Sequence, residues 1–363
     1  MSDLRIYQKG LSLLEEGLNM ALATVIFTTG STPGKVAYKM IVGNQKGQTE
    51  GTIGGGATEG EIIRIAQNSL SETGRRVIRF DLHGGEDSER GICGGTIEYL
   101  VETFNPCYLP LFRNLSRVIE EGQKAVLVSL LSPDKPPEKF LLTGTDSRRP
   151  LADLNFPANT IKLIEDLIIK ERSAKITLAY GTEVFVEVIP AQPRVYIFGA
   201  GHLSQAICHY AKRLNFRITV CDDRKEFANI ERFSEADQII TENCDGLFTK
   251  IHIQGNSYIV IVTRGHQYDE IILDQAIKEP IKYIGMIGSR RKTAMILHRL
   301  HERGIPAENF RNVYSPIGLD IGAVTPEEIA LSIVSEMVKI RRRGPSGEIR
   351  HLQMGFPPNP ETL

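Results

Sequence analysis

A cysteine in a glycine-rich loop is the most chemically suggestive feature of this chain. Cys93-Gly94-Gly95 closes the polar stretch 82–95 (LHGGEDSERGICGG) and opens an alternating run at 96–103. Most cysteines behave as small buried hydrophobes. One on such a loop, with Arg90 three residues before it, has the setting of a thiolate that ligates or attacks. A thiolate is a soft donor and suits a thiophilic metal. Upstream, GTIGGG at 51–56 runs into a helix carrying Ile62, Ile63, Ala66 and Leu70. Three successive glycines before a helix cost chain entropy. Gly54, Gly55 and Gly56 are explained by close approach of a ligand, or of another backbone, to exposed N–H groups. Tight helix–sheet packing is the competing account.

The second half carries a different constellation. An apolar run at 195–198 leads into Gly199, Gly201 and Ser204, the G-x-G-x-x-G spacing with serine in third place. Leu203, Ala206, Ile207, Tyr210, Ala211 and Leu214 then mark one helix face. A second strand at 217–221 delivers Asp222 and Asp223, about 20 residues past the glycines. Gly199 permits the tight turn, Gly201 lets a ligand approach, and the helix N-terminus offers N–H groups to a phosphate. The acidic pair would accept a ribose hydroxyl and disfavour a 2′-phosphate, which Arg224 offsets. Together these make a Rossmann-type unit that binds NAD(P), or one whose crevice is empty or holds another ligand. The strand at 257–263 ends in Arg264-Gly265-His266, with Asp269 three residues on. Ligands of open parallel sheets bind beyond the carboxyl ends of strands, which makes His266 a candidate acid/base and Arg264 a candidate contact. The strand at 282–287 delivers Gly288-Ser289-Arg290-Arg291-Lys292 to a helix start, a candidate anion site.

These residues must be positioned by two α/β units. The fold class expected is an N-terminal mixed α/β domain over 1–190, then a Rossmann-like doubly wound domain over 191–343, with 344–363 as a tail. The boundary falls at Pro190-Ala191-Gln192-Pro193. The N-terminal half reads as a first helix with Tyr7, Leu11, Leu14 and Leu18 on one face. Strands follow at 21–29, 36–42, 76–81, 96–103, 124–131 and 139–143, then a hairpin of 175–180 and 183–189. GSTPGK at 30–35 lacks the ending of a phosphate loop and reads as a hairpin-type connection. The 363 residues include 43 basic and 44 acidic ones, so nothing points to nucleic acid or a charged membrane surface. No apolar run approaches the ~18 residues of a membrane helix. The start MSDLRIYQKG lacks a signal-peptide pattern, so a cytoplasmic protein is expected. Five cysteines, none in C-x-x-C, argue against a disulfide framework and a zinc knuckle. Cys107, Cys208, Cys221 and Cys244 read as structural.

Taken in order, GTIGGG, CGG, VYIFGAGH (195–202), CDDR (221–224), TRGH (263–266), YIGMIGSRRK (283–292) and SPIGLDIGAVTPEEIA (315–330) resemble the xanthine dehydrogenase accessory factor family. The family also includes relatives from carbon monoxide dehydrogenase maturation. The resemblance implies a cytosolic chaperone that binds the molybdenum cofactor (molybdopterin). It would hold the cofactor while a cysteine desulfurase supplies its sulfur, then deliver it to the molybdenum subunit of xanthine dehydrogenase. It also implies a homo-oligomer, a homodimer first. The motifs mark Gly54, Gly55, Gly56, Cys93, Gly94, Gly95, Gly199, Gly201, His202, Asp222, Asp223, Arg264, Gly288, Ser289 and Arg290 as cofactor-binding candidates, with Cys93 as a molybdenum contact. Some relatives carry cysteine in the first glycine motif where this chain has Ala57, which argues against a two-cysteine scheme. The alternative is a nicotinamide-dependent oxidoreductase, or a partner chain of xanthine dehydrogenase, using the Rossmann unit.

Overall fold

The computed structural model describes residues 3–44, 48–82, 94–132, 136–143, 156–178, 181–345 and 347–348, without the side chains of 244, 245 and 266. The chain divides into two compact units, Met1–Gln192 and Pro193–Leu363. Among the described residues, no helix is long and apolar enough to cross a membrane.

The first unit is built on two antiparallel sheets. One orders its strands β3-β2-β1-β5-β4, from β1 (Met20–Gly30), β2 (Lys39–Val42), β3 (Thr49–Thr52), β4 (Arg75–Asp81) and β5 (Gly95–Phe104). The other is β7-β6-β9-β8, from β6 (Ala125–Leu130), β7 (Lys139–Thr143), β8 (Ala174–Thr177) and β9 (Glu183–Ile189). Alternation along β1 sends Ala21, Ala23 and Val25 to a core with Ile62 and Ala66 of helix α2 (Gly56–Asn68). Its neighbours Met20 and Leu22 meet α1 (Asp3–Glu15) and α3 (Leu109–Glu120) through Tyr7, Leu14, Phe112 and Leu115. Helix α4 (Ala158–Ile169) lays Ile164 on the second sheet. Buried ion pairs join the sheets. Lys39 of β2 reaches Glu187 of β9 at 2.7 Å, and Lys139 of β7 reaches Glu102 of β5 at 2.6 Å. The Tyr7 hydroxyl also donates to Glu187 at 2.9 Å. Such pairs add little net stability, but losing one partner strands a buried charge.

The second unit is one parallel sheet ordered β12-β11-β10-β13-β14-β15. Its strands are β10 (Arg194–Phe198), β11 (Arg217–Asp222), β12 (Gln238–Thr241), β13 (Ser257–Ile261), β14 (Tyr283–Met286) and β15 (Val313–Tyr314). Counted from β10, that order is 3-2-1-4-5-6, the doubly wound Rossmann arrangement, with its switch point between β10 and β13. Helices α5 (His202–Arg213) and α9 (Pro326–Arg343) cover one face through Ile207, Ala211, Ile333 and Met337. The other face holds α6 (Cys244–Lys250), α7 (His266–Ala276) and α8 (Arg290–Glu302), through Leu247, Ile272, Leu273, Ile296 and Leu300. Near-continuous apolar strands such as SYIVI suit a sheet covered on both faces. The mixed first unit and the Rossmann-like second unit are the fold class read from the sequence. The short strands β3 and β12 are additions to that reading, and 36–42 is strand only from Lys39 onward.

Candidate functional site

In the second unit the candidate residues gather at the carboxyl ends of β10, β11, β13 and β14. Gly199 turns the chain off β10 with φ +108°, where a Cβ would lie 2.5 Å from the Val262 carbonyl oxygen. The turn therefore needs glycine for both its conformation and its closeness to the end of β13. Gly201 is different: it caps α5 at φ −79°, and a Cβ added there would meet nothing within 4 Å. Its backbone stands open, and His202, the first helical residue, is exposed.

The two aspartates have separate roles. The Asp222 carboxylate accepts from the Ala200 amide (2.7 Å), the Arg224 amide (3.0 Å), Arg224 Nε (2.9 Å) and an Arg224 terminal nitrogen (3.0 Å). Burial raises its pKa, but the Arg224 bonds and the two amides outweigh that and hold it below the usual range. Asp222 thus clamps the glycine turn to the end of β11. Asp223, which lines the crevice beside it, pairs with Arg264 at 3.0 Å and lies 3.8 Å from Arg224 Nε. Arg224 lies 3.9 Å over the Phe227 ring.

A third group lies one strand further along. Asp269 of α7, 1% exposed, accepts from the Thr263 hydroxyl at 2.6 Å and from Lys292 Nζ at 2.5 Å. Lys292 also donates to the Ile287 carbonyl at 3.2 Å. The pair ties the loop after β13 to the loop after β14. The sequence reading has Lys292 only as part of the candidate anion site and Asp269 only as the acid three residues past His266, and it does not pair them. The signal available was an acid in the first turn of one helix and a lysine in the first turn of the next. Beside the pair, Gly288, Ser289, Arg291 and Lys292 line an open groove of about 440 Å³. The Ser289 side chain is spent as N-cap, accepting from the Lys292 amide at 3.2 Å, and Arg290 is exposed. His266 begins α7, and its side chain lies outside the described residues.

In the first unit, pairing of Gly30 with Gly95 at the joined ends of β1 and β5 brings loop 30–34 against residues 94–95. Loop 53–56 packs on residues 33–34 of that loop. A Cβ on Gly54 would meet the Gly34 nitrogen at 2.6 Å, and one on Gly95 the Thr29 oxygen at 2.2 Å. At these two positions the close approach is made by the chain's own backbone. Gly55 and Gly56, with no neighbour within 4 Å of an added Cβ, and exposed Gly94 remain open. Cys93 and Arg90 lie outside the described residues.

The glycine loop already holds an anion. Glu59, one turn into α2, accepts from the Thr52 hydroxyl (2.6 Å), the Ile53 amide (2.9 Å) and the Gly55 amide (3.0 Å). Burial raises its pKa, but the Thr52 bond and the amides outweigh it, leaving it below the ordinary 4.5. A depressed carboxylate contributes stability above its unfolded value and loses it as pH falls through the lower folded value. Glu59→Gln is expected to cost about 1–2 kcal/mol at neutral pH. Urea unfolding should show the gap from the parent closing below about pH 4.5.

The remaining cysteines divide. Cys208 is buried, and burial first, then Glu235, pushes its thiol up to about 12, so it is inert. Cys221 is also buried, whereas Cys107 is exposed on a short 3-10 turn, Pro106–Tyr108, and does not have the packing role read for it. The Cys244 side chain lies outside the described residues. Among the described residues no group of three His, Cys, Asp or Glu side chains could hold a metal ion.

Comparison with known proteins places this architecture in a family. The model described as the XdhC and CoxI family matches residues 13–81, and the XdhC Rossmann domain matches residues 195–337. The chain belongs to this family, the xanthine dehydrogenase accessory factors. It is 26% identical over 339 residues to a Bacillus subtilis protein named as a probable subunit of xanthine dehydrogenase, covering 92% of this chain and 96% of that protein. A crystal structure of a xanthine dehydrogenase from Bacillus halodurans superposes with a TM-score of 0.75 at 25% identity, covering 94% of this chain and 97% of that one. The uncharacterized protein YqeB of Escherichia coli is 24% identical over 95% of this chain, which spans about half, 48%, of its length.

Proposed function

We propose that this chain is an accessory protein in the maturation of a xanthine dehydrogenase. It holds the molybdenum cofactor as cargo while a cysteine desulfurase supplies sulfur, and hands it to the molybdenum subunit. The observation that carries this reading is the match to both family models, in order, in a chain as long as relatives named for xanthine dehydrogenase. The chain has five cysteines and none in C-x-x-C, so it lacks the spacings that ligate iron–sulfur clusters in a complete enzyme. That supports association with the enzyme rather than identity with it.

The first unit's loops fit the cargo in part. Gly56 and Gly94 offer open backbone, while Glu59 fills the Ile53 and Gly55 amides and would oppose a phosphate placed there. Contact with the metal falls to Cys93. Cys93→Ser is expected to weaken retention of molybdenum while changing stability by no more than about ±0.5 kcal/mol. A serine hydroxyl stays protonated near neutral pH and is a harder donor. Molybdenum content and thermal unfolding, measured on parent and variant, check this. Equal retention would remove Cys93 from the site.

A second reading applies to the second unit alone. The 3-2-1-4-5-6 strand order and an acid facing the crevice favour a nucleotide there, with NAD-type ribose preferred over NADP. His266 would then serve as acid/base in a nicotinamide-dependent reaction.

A further inference from the structure

We propose that the Asp223–Arg264 ion pair is a displaceable latch that closes the nucleoside end of the crevice and opens when a ribose diol takes Asp223. The inference rests on the nucleotide reading of the second unit and is independent of the cofactor-carrier reading.

Four observations support it. Asp222, the other acid at this strand end, is engaged by four donors, whereas Asp223 has Arg264 at 3.0 Å and Arg224 Nε only at 3.8 Å, which leaves Asp223 as the carboxylate able to meet a ligand. Asp223 comes from the loop after β11 and Arg264 from the loop after β13, so their 3.0 Å contact spans the crevice rather than one wall. The pocket that Asp223 and Arg264 themselves line, with Phe198, Gly199, Thr263 and Tyr268 among others, is about 20 Å³. A water needs roughly 10–15 Å³ by that measure, so with the pair in place the space between the two loops has room for about a water and not for a nucleoside. Finally, the latch is light. The Arg264 side chain is 49% exposed and its guanidinium lies 5.5 Å from the Tyr268 ring centre, a place where it can rest on the wall. An exposed pair of this kind is weak and screened by salt.

The test titrates adenosine and ADP-ribose into the full chain and its Arg264→Ala and Asp223→Asn variants. Adenosine is uncharged, so its binding reports the latch without the attraction between a cation and a phosphate. Arg264→Ala is expected to bind adenosine about threefold more tightly at low salt, the worth of an exposed pair. Raising salt from ~0.05 M to ~0.5 M should strengthen adenosine binding to the parent and leave Arg264→Ala unchanged. Asp223→Asn should lose affinity for both probes with its melting temperature retained. Equal or weaker adenosine binding by Arg264→Ala overturns the latch, as does full affinity in Asp223→Asn. Absence of binding in every variant overturns the latch and the nucleotide reading together. None of these failures touches the maturation of a xanthine dehydrogenase, which is read separately.

Discussion

Asp269→Ala is expected to destabilise the second unit by about 3–5 kcal/mol, the penalty for leaving one charge of a buried pair without its partner. Asp269 is 1% exposed, and the Lys292 side chain is only 14% exposed. With the carboxylate gone, the ammonium keeps one described acceptor, the Ile287 carbonyl at 3.2 Å. The Thr263 hydroxyl also loses its 2.6 Å partner. Both loops that carry candidate residues, 262–265 and 287–289, would loosen together. Adding Lys292→Met to Asp269→Ala should recover a large part of the loss, because the stranded charge goes with it. Urea unfolding of parent, single and double variants forms the cycle that measures the coupling. A loss under about 1 kcal/mol for Asp269→Ala would mean the pair is no more than an exposed contact.

Glycines 199 and 201 should respond to alanine with costs of very different size. At Gly199 the new Cβ falls 2.5 Å from the Val262 oxygen, 2.9 Å from its carbonyl carbon and 3.1 Å from the Thr263 Cα. These are backbone atoms and have no rotamer to move. The positive φ adds roughly 1–2 kcal/mol, and overpacking typically adds about 1–3, so Gly199→Ala is expected to cost about 2–5 kcal/mol. Gly201→Ala meets open space at φ −79°. Its cost should stay under about 1 kcal/mol, the loss of a favoured N-cap residue. Thermal unfolding checks both. If Gly201→Ala keeps the fold but loses a ligand, that residue is an approach point, and Gly199 is a structural one. Equal stability of the two variants would contradict the packing at the switch point.

The Rossmann unit is legible in the sequence because its signals are local. Strand, glycines, helix, strand and acid fall within residues 195–223, and each constrains its neighbour. What stays hidden depends on where groups point after folding. In sequence Asp222 and Asp223 read as one acidic pair, and only the direction of the Ala200 amide and Arg224 separates them. Asp269 and Lys292 are 23 residues apart, with no periodicity linking them. Lys39 and Glu187 belong to different sheets, and no local pattern could pair them. In GTIGGG the need for unusual backbone is visible, but Glu59 folding back into the loop is not. Strand β3 (TEGT) and strand β12 (QIIT) are four-residue edge strands, too short and too polar to announce themselves by alternation.

Accessory action on a xanthine dehydrogenase is tested most directly by producing that enzyme in one host with and without this chain. Its polypeptide yield, molybdenum content and specific activity are then measured after purification. The expected result is equal polypeptide yield in both, loss of most activity without the chain, and recovery when the chain is supplied from a separate plasmid. The active enzyme, once purified, should no longer carry the chain. Full activity without the chain, or a chain that stays bound in stoichiometric amount to the active enzyme, would contradict the accessory role.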